Sequence, residues 1–173
     1  MKKMLLFSLV ATTLFSSVTT SAQDDKSKRP SPPAKATATT KSGNTVTIHY
    51  SQPSVKGRTV GKDIAPYGKV WRTGANEATV FEITKDAKIE GKHALPAGKY
   101  GLYSIPGEKS WTIIFNKTWK QWGTNYKEAD DALRVEVTPS KSPQMTEQMT
   151  FKVGDDGKVV MMWGNTQVAF TVV

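Results

Sequence analysis

The sequence predicts an all-β domain, a two-sheet sandwich or barrel-like fold of about ten short antiparallel strands. Three observations predict it. Apolar residues alternate with polar ones at a period of two in segment after segment. Clusters of Gly, Pro, Asn and Asp separate these segments at regular spacing. No long stretch carries the 3.6-residue period of an amphipathic helix, although residues 117–131 could hold a short one.

The elements follow in order. Residues 34–40 are rich in alanine and threonine, and Val46, Ile48 and Tyr50 share one face of residues 45–51; the turn Lys41-Ser42-Gly43-Asn44 between them makes a hairpin. Thr79, Phe81 and Ile83 line one face of a third strand. Leu95-Pro96-Ala97-Gly98 turns into a strand over residues 99–105, and Pro106-Gly107-Glu108-Lys109 turns into another that aligns Trp111, Ile113 and Phe115. Leu133, Val135 and Val137 alternate with Arg134 and Glu136. Met149, Phe151 and Val153 lead into the tight turn Gly154-Asp155-Asp156-Gly157, from which Val159, Met161 and Trp163 emerge. Gly164-Asn165 reads as a further turn before Val168, Phe170 and Val172.

The first 22 residues read as a secretory signal. Lys2 and Lys3 precede an apolar stretch over residues 4–18, and Thr20-Ser21-Ala22 supplies small residues before a cleavage point at Gln23. That stretch is short and hydroxylated for a membrane span, no later apolar run could cross a bilayer, and no cysteine follows the cleavage point to take a lipid. The expected product is soluble, periplasmic or secreted, and not membrane-embedded. Residues 23–33, with Arg29-Pro30-Ser31-Pro32-Pro33, read as a flexible basic leader, and residues 34–173 as the domain.

The chain has no cysteine, so the fold must rest on its core, and thiol chemistry is excluded. The formal net charge is +9, and much of the excess sits in or near the leader. A basic balance suits anionic partners such as lipopolysaccharide or acidic glycans, or else it is a solvated tail and an ordinary basic surface. Nucleic acid is not expected as a partner of an exported chain.

The run Pro66-Tyr67-Gly68-Lys69-Val70-Trp71-Arg72-Thr73-Gly74-Ala75-Asn76-Glu77-Ala78-Thr79 is the densest array of hydrogen-bonding side chains in the sequence. With Val55-Lys56-Gly57-Arg58, Leu95-Pro96-Ala97-Gly98-Lys99-Tyr100, Ile105-Pro106-Gly107, Trp111-Thr112-Ile113-Ile114-Phe115-Asn116 and Gln121-Trp122-Gly123, it resembles the bacterial domain-of-unknown-function family numbered 2911. The resemblance spans nearly the whole domain, and the Trp-Arg-Thr-Gly-Ala-Asn-Glu run is its most specific part. It implies an exported, all-β protein of Gram-negative bacteria and carries no established activity.

The residues themselves suggest a polar clamp. In a strand Arg72 points away from Trp71 and Thr73, and a bulge at Gly74 could turn Asn76 and Glu77 toward it. The guanidinium would take an anion, the amide and carboxylate hydroxyl groups. The alternative is structural, with Arg72 paired to Glu77 and Asn76 capping a turn. Arg58, beside Lys56 and Gly57, could add a cation for a phosphate, sulfate or carboxylate, or simply be solvent-exposed. Trp119, Trp122 and Tyr126 would form one stripe on a short helix, either a lid over the sandwich or a sugar-stacking platform with Asn116 and Gln121 nearby.

Catalytic patterns are sparse. The two histidines, His49 and His93, lie in unrelated contexts, and no metal-ligand spacing, calcium loop or Gly-x-Ser-x-Gly elbow occurs. Metal and cofactor are therefore not expected. The candidate ligand-binding set is Arg58, Arg72, Thr73, Asn76, Glu77, Asn116 and Trp122. The expected function is a non-catalytic binding module for a polar or anionic ligand or glycan. A hydrolase with Glu77 as acid or base, paired with Asp131, and a protein-partner or assembly factor are the alternatives. The setting of Glu77 separates the first two. A cation-paired carboxylate stays ionised, whereas one in an apolar pocket has a raised pKa suited to proton transfer.

Overall fold

The computed structural model describes residues 25–173, so the expected signal sequence over residues 1–22 lies outside the described residues. Ten strands are present among the described residues. β1 (Pro33–Thr39) and β2 (Thr45–Ser51) form the expected hairpin. β3 (Thr79–Ile83), β6 (Gly98–Ile105), β7 (Trp111–Asn116) and β8 (Asp131–Val137) extend it into one antiparallel sheet ordered β1-β2-β3-β6-β7-β8. The short hairpin of β4 (Ala87–Ile89) and β5 (His93–Leu95) and the long hairpin of β9 (Ser140–Val153) and β10 (Lys158–Thr171) lie against it.

The long hairpin has partners on both flanks. Ile89 bridges Val172 on one side, and Ser54 bridges Gln148 on the other, so the chain just past β2 crosses from the large sheet to the second layer. β1 and β8 are the two edges of the large sheet and do not pair with each other; the fold is a sandwich and not a closed barrel.

Alternation places the core. Val46, Ile48, Phe81, Leu102, Ile113, Phe115 and Val135 project from the large sheet onto Met149, Phe151, Val159, Met161, Trp163 and Phe170 of the β9–β10 hairpin, and all are buried. Phe81 packs edge-on against Phe115 at 5.0 Å between ring centroids. Trp71 enters from the loop before β3 and stacks on Trp163 at 5.2 Å. A smaller cluster of Ala78, Tyr103 and Ile114, with Ile105 and Tyr126 against it, lies on the opposite face of the large sheet. That outer face carries the candidate site.

Two expectations change. Gly164-Asn165 is no turn: β10 runs through it, with register shifts between Met162 and Thr166 and Gly164 at φ +60°. Gly and Asn serve a bulge as readily as a turn, and packing against β9 selects the bulge. The short helix allowed within residues 117–131 shrinks to one 3-10 turn, Glu128–Asp130, so Trp119 and Trp122 sit on a loop and form no helical stripe. The leader, described from Asp25 onward, contacts the domain. A 3-10 turn at Lys26–Lys28 lies against the domain, and the Gln52 N–H donates to Pro32 O at 2.9 Å.

Candidate functional site

The Trp71–Thr79 loop is pinned from beneath. Trp71 and Ser104 exchange backbone hydrogen bonds at 2.7 and 2.8 Å. Thr73 Oγ1 donates to Ser104 Oγ at 2.9 Å, and Thr79 Oγ1 donates to Thr73 O at 2.9 Å. The left-handed residues of the loop are Thr73 (φ 47°) and Asn76 (φ 60°), not Gly74. Gly74 serves a different need: a Cβ there would lie 2.6 Å from Thr79 Oγ1. Left-handed backbone is costly for β-branched Thr73, and its buried hydrogen bonds hold it there.

Beyond Thr73 the loop meets residues 121–123. Ala78 N–H donates to Gln121 O at 3.0 Å and Gly123 N–H donates to Asn76 O at 3.1 Å, which makes Glu77 and Trp122 directly opposed in an antiparallel bridge. This is the non-hydrogen-bonded type of pair, in which the two side chains approach most closely on one side. The Trp122 indole is 47% exposed beside the carboxylate.

Glu77 is paired, but not with Arg72. Its Oε1 accepts from Lys26 Nζ at 2.8 Å and its Oε2 from Arg29 Nη1 at 3.0 Å, both cations coming from the leader. The Lys26 hydrogen bond, its own backbone N–H and Arg29 together outweigh partial burial and hold the Glu77 carboxyl down at about 2. Lys26, Arg29, His49, Ser51, Glu77 and Val80 are among the residues lining a cleft of about 180 Å³ on the outer face. Asn76 turns its amide toward the same segment, with Nδ2 donating to Ser31 O at 3.0 Å and to Ser51 Oγ at 3.3 Å.

Arg72 lies in a second cleft, of about 260 Å³, with Val70, Gly123, Thr124 and Tyr126. Its stem runs flat against Gly123: a Cβ on that glycine would sit 2.2 Å from Arg72 Cδ and 2.9 Å from Asn76 O. The guanidinium makes one hydrogen bond among the described residues, a long one of 3.4 Å from Nη1 to Asn76 O. Among the described residues no carboxylate is in ion-pair contact with it. Its charge acts on the phenol of Tyr103, whose pKa burial nevertheless raises, and Tyr103 packs at 4.9 Å on the ring of Tyr126. Tyr126 is in turn tied to Asp131 and Arg134 at 2.7 Å each; burial and the Asp131 carboxylate push its phenol up to about 12. The Arg72 cleft thus has a rigid, aromatic floor.

The remaining candidates separate from these clefts. Arg58 is remote and caps its own loop, with Nε donating to Val55 O at 3.0 Å and Nη2 to Ser54 O at 2.8 Å. Asn116 is fully buried and holds the following loop through Lys127 O, Asp131 Oδ1 and the Thr118 N–H. Thr73 is buried in the knot with Ser104 and reaches neither cleft. Arg72, Asn76, Glu77 and Trp122 are neighbours, yet Arg72 faces one cleft and Glu77 the other. Lys26, Arg29, His49 and Ser51 were not in the sequence-derived set. The leader's charge excess was visible, but not its contact 48 and 51 positions downstream. Among the described residues no group of three His, Cys, Asp or Glu side chains could hold a metal ion.

A family model described as "Protein of unknown function (DUF2911)" matches residues 31–172. The chain belongs to this family. The matched span holds Arg72, Asn76, Glu77 and Trp122 and begins after Lys26 and Arg29, so the cations on Glu77 lie outside the region that defines family membership. No curated protein and no solved structure matches the chain.

The exposure of the Glu77 pairs sets their worth. The carboxylate is 39%, Lys26 56% and Arg29 21% exposed, so solvent screens the Lys26 contact strongly and the Arg29 contact in part. Glu77→Gln is expected to cost less than about 1 kcal/mol, not the ~3 kcal/mol of a fully desolvated pair. Because the folded-state pKa lies below the ordinary value of 4.5, this stabilisation is complete above that value and is lost as pH falls toward about 2. Urea denaturation of both chains at pH 7 and pH 3 checks it. The gap between them should narrow at the lower pH, and a loss of several kcal/mol at pH 7 would show the pair to be structural.

Proposed function

We propose that the protein is a non-catalytic binding module of the periplasm or cell envelope whose Arg72 cleft takes the anionic group of a small polar ligand or glycan. The observation that carries this reading is the half-buried Arg72 guanidinium, fixed along Gly123 and without a carboxylate partner among the described residues. A partly desolvated cation is costly unless paired, and arginine's planar fork suits two-point recognition of a carboxylate, sulfate or phosphate. The cleft is slightly smaller than the ~300–1,000 Å³ of pockets that enclose drug-sized ligands. It therefore suits one acidic group or one sugar ring. The exposed Trp122 adjoining Gly123 offers an apolar face against which a pyranose could stack. The envelope address rests on the basic, apolar and small-residue pattern of the first 22 residues.

The hydrolase reading loses its proposed proton donor. A carboxyl held at about 2 is ionised throughout the neutral range and is a poor general acid. The test is calorimetric titration and thermal shift with glucuronate, galacturonate, sulfate and phosphate, with glucose as the neutral control. Arg72→Gln is expected to weaken the anionic ligands by about 2 kcal/mol, roughly thirtyfold, while leaving the melting temperature of the free protein nearly unchanged. Equal binding by Arg72→Gln, or the same response to glucose as to the acids, would overturn the reading.

A further inference from the structure

The leader's seat on Glu77 has the form of a peptide bound to a receptor. Asp25 caps the Lys26–Lys28 turn, with its Oδ1 accepting from the Ser27 N–H and hydroxyl. In a 3-10 turn side chains three positions apart eclipse one another. Lys26 and Arg29 therefore emerge on the same side, and both reach the one Glu77 carboxylate. Pro30 and Pro32 restrict the chain that follows, which lowers the entropy lost on docking. Ser31 O takes the amide of Asn76. The receiving side is built by the domain: Glu77 and Asn76 from the pinned loop, His49 and Ser51 from β2, and Trp122 opposite Glu77.

The contact is also weakly held. The β ladder begins at Pro33, where Pro33 pairs with Ser51; upstream of it the Lys26 pair is solvent-exposed and the Arg29 pair half-buried. Segments tied by a few exposed contacts open far more often than the core does.

We propose that the Glu77 cleft is a binding site for basic peptide segments with Lys-x-x-Arg spacing, and that the chain's own leader occupies it in cis as a displaceable ligand. The site is separate from the Arg72 cleft, and the proposal does not rest on the anion-binding reading. A tethered leader competes at a local concentration in the millimolar range, so the unmodified chain masks its own site.

The experiment uses the full chain and a fluorescent synthetic peptide of residues 24–33, with binding read by anisotropy at low salt. The chain carrying K26A and R29A is expected to bind the peptide at least tenfold more tightly than the unmodified chain. Adding Glu77→Gln to that variant should remove the gain, and a peptide with alanine at positions 26 and 29 should not bind. Arg58→Gln, remote from both clefts, should on the same background bind as tightly as its parent, which shows that loss of a positive charge elsewhere does not change the affinity. Strand content by circular dichroism confirms that each variant is folded. Equal affinity for the unmodified and K26A/R29A chains, no binding to the folded K26A/R29A chain, or binding that survives Glu77→Gln would each overturn the proposal.

Discussion

Phe81→Ala is expected to remove about 3–5 kcal/mol of stability, the largest loss from a single side chain considered for this protein. Phe81 is fully buried at the middle of β3, in the centre of the large sheet. Its ring contacts Phe115 of β7 at 5.0 Å and Phe170 of β10 at 6.0 Å, so it reaches across β6 within one layer and joins both layers of the sandwich. Truncation removes the transfer free energy of the ring and leaves a cavity that rigid β neighbours cannot collapse to fill. Urea denaturation should show a lower midpoint with an unchanged slope. A loss under about 1 kcal/mol would mean that the layers do not close on each other at this point.

Gly123→Ala is expected to cost about 1–3 kcal/mol, the range for forcing atoms into a filled site, and to abolish recognition at the Arg72 cleft as well. The added methyl would overlap Arg72 Cδ and press on Asn76 O, which accepts the Gly123 N–H that closes the bridge. The arginine stem can swing away, but the carbonyl belongs to the backbone and cannot. The predicted signature is therefore double: lower stability, and anion affinity reduced at least as far as in Arg72→Gln. Stability loss with full anion binding would show that the orientation of Arg72 is not set by Gly123. Wild-type behaviour in both measurements would remove the basis for the cleft.

The strands were legible because a half-buried strand writes its environment into alternate positions. Val46, Ile48 and Tyr50, or Trp111, Ile113 and Phe115, have only one way to face a core. The pairing partner of each strand is not written in this way, and two short elements passed unnoticed. β4 and β5 have three residues each, too few to display a period. Gly164-Asn165 misled for the opposite reason: its chemistry satisfies both a turn and a bulge, and only the facing strand chooses between them.

The site divides along the same line. That the run from Trp71 to Thr79 matters could be read from its composition, since strands seldom spend Arg, Asn and Glu so close together. Its internal geometry could not. The expected bulge at Gly74 would have gathered Arg72, Asn76 and Glu77 in one concavity; instead Thr73 and Asn76 take the left-handed conformation and separate them into two clefts. The choice is made by contacts with Ser104, Gln121 and Gly123, all distant in sequence.

By itself, then, the sequence determined the all-β class, most of the strand positions and the loop that carries the site, because each depends on residues near one another along the chain. Tertiary structure alone decided which charges meet. Glu77 found Lys26 and Arg29 in place of Arg72, and Arg72 was left beside Gly123 without a carboxylate partner among the described residues. Ion pairing has no period and little preference for one partner over another. It is settled by whichever opposite charge the packed backbone brings within a few ångströms, and that distance exists only after the sheets have closed.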